Sequence, residues 1–435
     1  MKKWIALALA LVMVFALAAC GGKTEPTPTK APETETPADP TKTPEADPTQ
    51  EPEPTADPEP TGEPIKIGHI ADLTGTEALT GQEAKTALEF AVKHLGNNIA
   101  GRPVEIVLSD GMSATDTAVD AAVRMVENDG VCAIIGPNQV GQKAGVSEYM
   151  AEAEVPLIFY NGSPAYLFMK NPWLIGAGGA NPQMNVIADY AYNELGYRRV
   201  NILTMDNTGF ITFADEFEKL FTALGGEIVD KKYVPFGTSD WSVYFASMND
   251  ADAIMAWATA SNATGLWNDW YNTGMYQRQP MVGIMQSAFT EYYIMNALDK
   301  SDHAVTEAAL GTYAPAAYVP DIDTPENKAF VEAWTEEFGA APAGNLSGQI
   351  YQAYLLLKTA IESIDGEITN ESLLEALKAA DITGPAGHLY FDGSGAANKD
   401  IYIARSVQLE DGTYSQETVK VYKDVPPAGL TAETK

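Results

Sequence analysis

Two short loops carry the side chains of this chain best placed to act on another molecule. They are Gly136-Pro137-Asn138-Gln139-Val140-Gly141-Gln142 and Tyr160-Asn161-Gly162-Ser163. Each follows an apolar run, Cys132-Ala133-Ile134-Ile135 or Val155-Pro156-Leu157-Ile158-Phe159, that breaks off into small and polar residues, with a helical pattern between the two. Strand, loop, helix, strand is one right-handed parallel βαβ unit, and open α/β sheets hold ligands just beyond the carboxyl ends of such strands. The predicted chemistry is recognition of a ligand rather than bond making. The chain has no Gly-x-Ser-x-Gly elbow and no Gly-x-x-x-x-Gly-Lys phosphate loop, and His69, His94, His303 and His388 show no metal-ligand spacing. No cofactor and no metal site is predicted.

The elements that must position these loops recur along the chain. Ile65–Ile70 and Val104–Leu108 read as strands, with Gln82–Leu95 and Asp116–Asn128 as helices between and after them. The pattern restarts beyond Asn181. Met184–Leu195 and Phe213–Leu224 read as helices, and Arg199–Met205, Glu227–Val234, Ala253–Ala258 and Met281–Ile284 as strands. About 370 residues follow Pro64, more than one core usually serves, so two doubly wound parallel lobes are expected.

The amino terminus predicts the compartment. Lys2 and Lys3 precede an apolar run from Trp4 to Ala19, shaped like a signal-peptide core and short for a membrane span. Leu17-Ala18-Ala19-Cys20-Gly21 resembles a bacterial lipobox, which makes residues 1–19 a lipoprotein signal peptide and Cys20 the lipidated first residue. Cys132, the only other cysteine, is then left to a buried strand as a small core residue. Residues 20–64 consist almost entirely of Pro, Thr, Glu, Asp and Ala, and read as a disordered spacer that in a stiff form would reach about 130 Å. The formal charge of the chain is −32, of which about −26 falls on residues 65–435. That charge argues against nucleic acid and against direct contact with anionic headgroups.

The order and spacing of further segments carry a family resemblance. Ile65-Lys66-Ile67-Gly68 through Leu73-Thr74-Gly75, Gly81-Gln82-Glu83-Ala84, Gly101-Arg102-Pro103-Val104-Glu105-Ile106, Ala133-Ile134-Ile135-Gly136-Pro137 and Val155-Pro156-Leu157-Ile158 resemble the Leu/Ile/Val-binding protein family, type I periplasmic solute-binding proteins of ABC transporters. Weaker matches run through Gly196-Tyr197-Arg198-Arg199-Val200 and Leu224-Gly225-Gly226 to Phe391-Asp392-Gly393-Ser394-Gly395. The resemblance implies an α/β fold of two Rossmann-like lobes joined by three crossover strands. It places the first lobe at 65–181 plus 312–388 and the second at 182–311 plus 389–425, with 426–435 a disordered tail. Gly176-Ala177-Gly178-Gly179, superficially a dinucleotide fingerprint but with Asn181 where its third glycine belongs, then falls at a crossover and reads as a hinge.

The resemblance also implies a ligand set. Ser163 matches the hydroxyl residue that meets a ligand carboxylate through its side chain and N–H, although a helix N-cap role before Pro164 suits it too. Asn161 matches a neighbour that uses its backbone. In the loop holding Asn138 and Gln139, Val140 stands where the family commonly has serine, with Gln139 or Gln142 able to reach the same space. Phe210 in Asp206-Asn207-Thr208-Gly209-Phe210 replaces a tyrosine and loses its hydroxyl. The acidic residue that meets a ligand ammonium falls near Met285 or Gln286, neither of which is charged. Either Asp72 or Asp206 substitutes, or the ligand has no α-ammonium. Trp257 and Tyr160, with Phe210 and Met285, point to a flat or apolar ligand, such as an aromatic or branched acid or an amide.

The implied function is a monomeric, lipid-anchored, extracytoplasmic substrate-binding protein that captures a small organic solute by hinge closure and delivers it to an ABC permease. A tethered receptor signalling to a membrane partner is the alternative, and an enzyme the remote one.

Overall fold

The computed structural model describes residues 62–432 except 180–182, 236, 259, 284–294, 296–297, 301, 343 and 411. The apolar runs read from the sequence form two separate sheets. The first contains β1 (Ile65–Ala71), β2 (Asn98–Ile99), β3 (Arg102–Asp110), β4 (Ala133–Ile135), β5 (Leu157–Phe159) and β6 (Leu174–Gly176), in the order β2-β3-β1-β4-β5-β6. All neighbours are parallel except the short β2–β3 pair, with Ile67 beside both Ile106 and Ala133. Strands β4 and β5 are buried along their whole length, which is why they read as unbroken apolar runs rather than alternating ones.

The second sheet contains β7 (Arg199–Asp206), β8 (Glu227–Pro235), β9 (Ala253–Trp257), β10 (Met281–Val282), β11 (Tyr313–Ala316), β12 (Asp381–Gly384), β13 (Gly387–Phe391), β14 (Ala397–Gln408) and β15 (Tyr414–Val425). Its order is β12-β13-β14-β11-β10-β9-β7-β8, with β15 paired to β14. The run β8-β7-β9-β10-β11 is parallel, as expected for a doubly wound lobe. Strands β12 to β15 add an antiparallel extension that the parallel expectation lacked.

Stripped of edge additions, both sheets have one plan. In the first lobe β3 lies on one side of β1 and β4 on the other; in the second lobe β8 and β9 flank β7 in the same way. The winding reverses at β1/β4 and at β7/β9, so the carboxyl ends there open onto a crevice that no connecting helix covers.

Three chain passages link the lobes. One lies between β6 and helix Gln183–Asn193, and one follows β11, where Ala317, Tyr318 and Val319 enter the first core. The third precedes β14, where Gly176 N–H donates to Gly395 O at 2.7 Å and Gly176 bridges Ala396. Helices Pro325–Phe338, Leu346–Ser363 and Asn370–Ala379 pack into the first core through Phe330, Ile350, Leu357 and Leu377. The β12–β13 hairpin is hydrogen-bonded into the second sheet, while Ile382 and Leu389 bury in the first core. Residues 426–432 include a turn closed by Gly429 N–H to Pro426 O, and Leu430 packs on the second lobe. Cys132 sits just before β4, half-buried, with its thiol pushed up to about 11 by burial.

Glu83 sits at the amino terminus of helix Leu346–Ser363, where its carboxylate accepts Ser347 N–H at 3.0 Å. Burial pushes its pKa up to about 7 against these hydrogen bonds. A raised carboxyl pKa means that the folded state binds the extra proton, so this contribution to stability is full below pH 4.5 and lost as pH rises through about 7. The expected outcome is that Glu83→Gln, which keeps an acceptor without a charge, unfolds at a higher temperature than wild type at pH 8 and at nearly the same temperature at pH 4.5. Thermal unfolding at the two pH values checks this, and equal differences at both would contradict it.

Candidate functional site

At the first reversal point the polar groups are organised around Asp72, the residue after β1. It is 2 % exposed, and its carboxylate accepts Ser113 N–H at 2.8 Å, Gln139 Nε2 at 2.8 Å and Gln142 Nε2 at 2.7 Å. These donors come from the loop after β3 and from the amino terminus of helix Val140–Ala153, so one carboxylate ties three loops together. The backbone of Asp72 also presses on the following helix, where a β-carbon at Gly81 would lie 1.9 Å from Asp72 O. Asp110 braces the same rim by accepting from Leu73 N–H, Thr74 N–H, Thr74 Oγ1 and Met112 N–H. Desolvation would raise its pKa, but the bonds from Thr74, Met112 and Leu73 outweigh it and hold the carboxyl below the usual range. Met112 and Ser113, at φ +51 and +54, are held left-handed between these anchors, a strained conformation for side-chain-bearing residues.

Lys143 is a site residue that reading the sequence misses. It lies one turn into helix Val140–Ala153 and is fully buried. Its ammonium donates to Asn161 Oδ1 at 2.5 Å, Gly162 O at 2.9 Å, Ser163 Oγ at 3.0 Å and Asn161 O at 3.4 Å, and sits 5.0 Å from the centre of the Phe159 ring. Burial pushes its pKa well below the usual lysine range. Four oxygens and a ring face act against that by holding the proton. A signal is present in the sequence: Val146, Ser147 and Met150 follow at helical spacing and are buried, so Lys143 falls on the inward stripe.

Ser163 is fully buried. Its hydroxyl lies between Lys143 and Asn161 O, and its N–H donates to Gly179 O at 3.2 Å, so neither group projects freely from the loop. Asn161 bridges Lys143 and Asn138, donating from Nδ2 to Asn138 Oδ1 at 2.5 Å. Tyr160 is buried, its phenol raised in pKa by burial and then by the Asp72, Glu83 and Glu77 carboxylates. Gly178 lets β6 close against this loop, since a β-carbon there would lie 2.1 Å from the Asn161 carbonyl carbon. His69 is buried and donates from Nδ1 to Ile135 O at 2.9 Å; burial takes its pKa down to about 4, so it is neutral near pH 7.

At the second reversal point Asn207 caps helix Thr208–Ala223 by accepting Gly209 N–H at 2.9 Å. The helix thus begins earlier than the apolar spacing from Phe213 indicates, and Phe210 stands in its first turn. The Trp257 ring lies between Phe210 and Phe213, with centroids at 4.7 and 4.0 Å, and its buried Nε1 has no partner among the described residues. Asp206 is exposed, while Met285 lies outside the described residues. The two reversal points meet: a β-carbon at Gly209 would stand 3.1 Å from a γ-methyl of Val140. Among the described residues no cluster of His, Cys, Asp and Glu could hold a metal ion, and no helix is long and apolar enough to cross a membrane.

Paired doubly wound lobes with their reversal points facing define a two-lobed binding protein. A family model described as periplasmic binding protein matches residues 64–413, and the chain belongs to that family. The Leu/Ile/Val-binding protein homolog 6 of Brucella suis biovar 1 is 24% identical over 342 residues, covering 78% of this chain and 86% of its own. Among solved structures, an ABC transporter substrate-binding protein from Sphaerobacter thermophilus is 30% identical with a TM-score of 0.77, covering 84% of this chain and 99% of its own. A solute-binding protein of an ABC transporter from Rhodopseudomonas palustris BisB5, in complex with 3,4-dihydroxybenzoic acid, is 23% identical with a TM-score of 0.75, covering 83% and 98%. These relatives are solute-binding proteins rather than enzymes, and so is this chain.

Because three N–H donors converge on the buried Asp72 carboxylate, Asp72→Asn sets an amide NH2 against Gln139 Nε2 or, turned over, against Ser113 N–H and Gln142 Nε2, and removes the charge that all three face. It should cost about 2–4 kcal/mol of stability. Urea unfolding measures this, and an unchanged midpoint would show that Asp72 does not hold the loops.

Proposed function

We propose that the protein is the lipid-anchored solute-binding component of an ABC importer, and that a small organic solute binds where the two reversal points face each other. The approach of Val140 to Gly209 carries this reading, because it brings the crevices of two α/β lobes onto one another. Asn138, Gln139, Val140 and Asn161 would line the first-lobe side, with Ser163 fixed behind them rather than presenting its hydroxyl, and Phe210 and Trp257 would line the second. Met285 and Asp206 would complete the set, while Asp72 holds the loops in place. The lobes follow the assignment 65–181 plus 312–388 and 182–311 plus 389–425, save that β11 and the β12–β13 hairpin pair into the second sheet, and they would turn about the three passages to enclose the solute. Closure would then report occupancy to a membrane permease. Cys20 would carry the lipid, and residues 20–64 the spacer that keeps a monomeric binding unit clear of the membrane.

The curated relative is named for leucine, isoleucine and valine, and the R. palustris structure holds an aromatic acid. The solute class proposed is accordingly a branched-chain or aromatic amino acid, or a related acid or amide. Thermal unfolding of the full chain in mild detergent, against amino acids, aromatic and branched acids, amides and nucleosides, tests the reading. A solute at 100 times its Kd should add about 2.7 kcal/mol of stability. A chain stabilised by none of them would contradict the proposal.

A further inference from the structure

The buried charges of the first lobe decide which way its amide side chains face. An ammonium only donates. The Asn161 atom 2.5 Å from Lys143 Nζ is therefore its oxygen, which turns Asn161 Nδ2 onto Asn138 Oδ1 at 2.5 Å. Asn138, which is half-exposed, spends its oxygen on that bond and keeps its amide protons for whatever lies beyond the loop. Lys143 thus passes its polarity through two amides to the rim. The four oxygens around it belong to carbonyls, an amide and a hydroxyl, all of them neutral. The Asp72 carboxylate at this reversal point is engaged by Ser113, Gln139 and Gln142.

We propose that Lys143 is a positioning residue that sets the specificity of the interlobe site. By turning Asn161 and Asn138 so that amide protons face the solute, and by leaving one positive charge without an anionic partner beneath them, it selects a small carboxylate that carries no ammonium group. The inference rests on the solute-binding role proposed for the cleft. An amino acid would bring an ammonium that Asp72, already accepting three hydrogen bonds, cannot take without losing a donor, and that Asp206 could meet only from an exposed position where water screens the attraction. An amide would meet the same donors but gain nothing from the charge.

The test compares two series of matched shape by isothermal titration of the full chain in mild detergent: benzoate, benzamide and phenylalanine, and 4-methylpentanoate, its amide and leucine. Wild type should bind the carboxylate of at least one series about tenfold or more tighter than its amide and its amino acid. Lys143→Met, which keeps the length and loses the charge, should erase that preference. Asn138→Asp keeps the acceptor for Asn161 and replaces the outward donor with a repelling carboxylate. It should therefore lose the preference with the unfolding midpoint of wild type, which separates specificity from folding. Tighter binding of phenylalanine or leucine by wild type, or a carboxylate-to-amide ratio unchanged in Asn138→Asp, would overturn the proposal. Binding of none of the six would also overturn it while leaving the solute-binding role to the wider panel; a chain stabilised by nothing in that panel would remove the role itself.

Discussion

Everything at the site depends on a constraint on parallel sheets. A strand can pair in parallel with the next only if the chain returns along the opposite direction, so each helix leaves from a carboxyl end and all carboxyl ends lie on one side of the sheet. Where successive crossovers go to opposite faces, at β1/β4 and β7/β9, two neighbouring loops diverge and the space between them stays open. The chain builds this arrangement twice and turns the two openings toward each other at Val140 and Gly209. Capture of a solute in that space requires no catalytic machinery, only a higher affinity of the closed form than of the open one.

Openness comes with a structural cost, because loops that form a crevice cannot satisfy their polar groups in a sheet. The first lobe meets that cost with charged hubs. Asp72 collects donors and Lys143 collects acceptors, each buried and each surrounded by neutral partners. Such networks are stiff, since removing either charge strands several groups at once, and they fix amide orientations that would otherwise be free to flip. The second lobe uses packing instead. Phe210 and Phe213, on the helix that Asn207 caps, both pack at a tilt against the Trp257 ring, so this reversal point is held by apolar packing where the first is held by polar networks.

The fold is legible in the sequence where burial is complete. Runs such as Ala133–Ile135 and Leu157–Phe159 are apolar because both faces of a central parallel strand are covered, and their order carries the family. Strands β12 to β15 are less legible, since they alternate and pair antiparallel at an edge, and the β12–β13 hairpin pairs in one lobe while burying side chains in the other. The loops of the site do lie at strand ends, but side-chain direction is not readable from them. The sequence suggests that Ser163 presents its hydroxyl and N–H, yet both are engaged within the loop by Lys143, Asn161 O and Gly179 O. Lys143 escapes notice because a lysine in a helix is ordinarily solvated, and only its phase relative to Val146 and Met150 marks it as inward.

The central claim is that the solute lies between the two reversal points. Calorimetric titration of Gly209→Leu with the solute that stabilises wild type most tests it directly. Gly209 is buried in the first turn of its helix, and a β-carbon there would already stand 3.1 Å from a γ-methyl of Val140 and 3.3 Å from Asn207 Oδ1, so a leucine forces the two reversal points apart. Binding should be lost, with the solute-free chain still unfolding cooperatively, at a midpoint below that of wild type. Full affinity in the leucine variant would place the solute elsewhere and contradict the account.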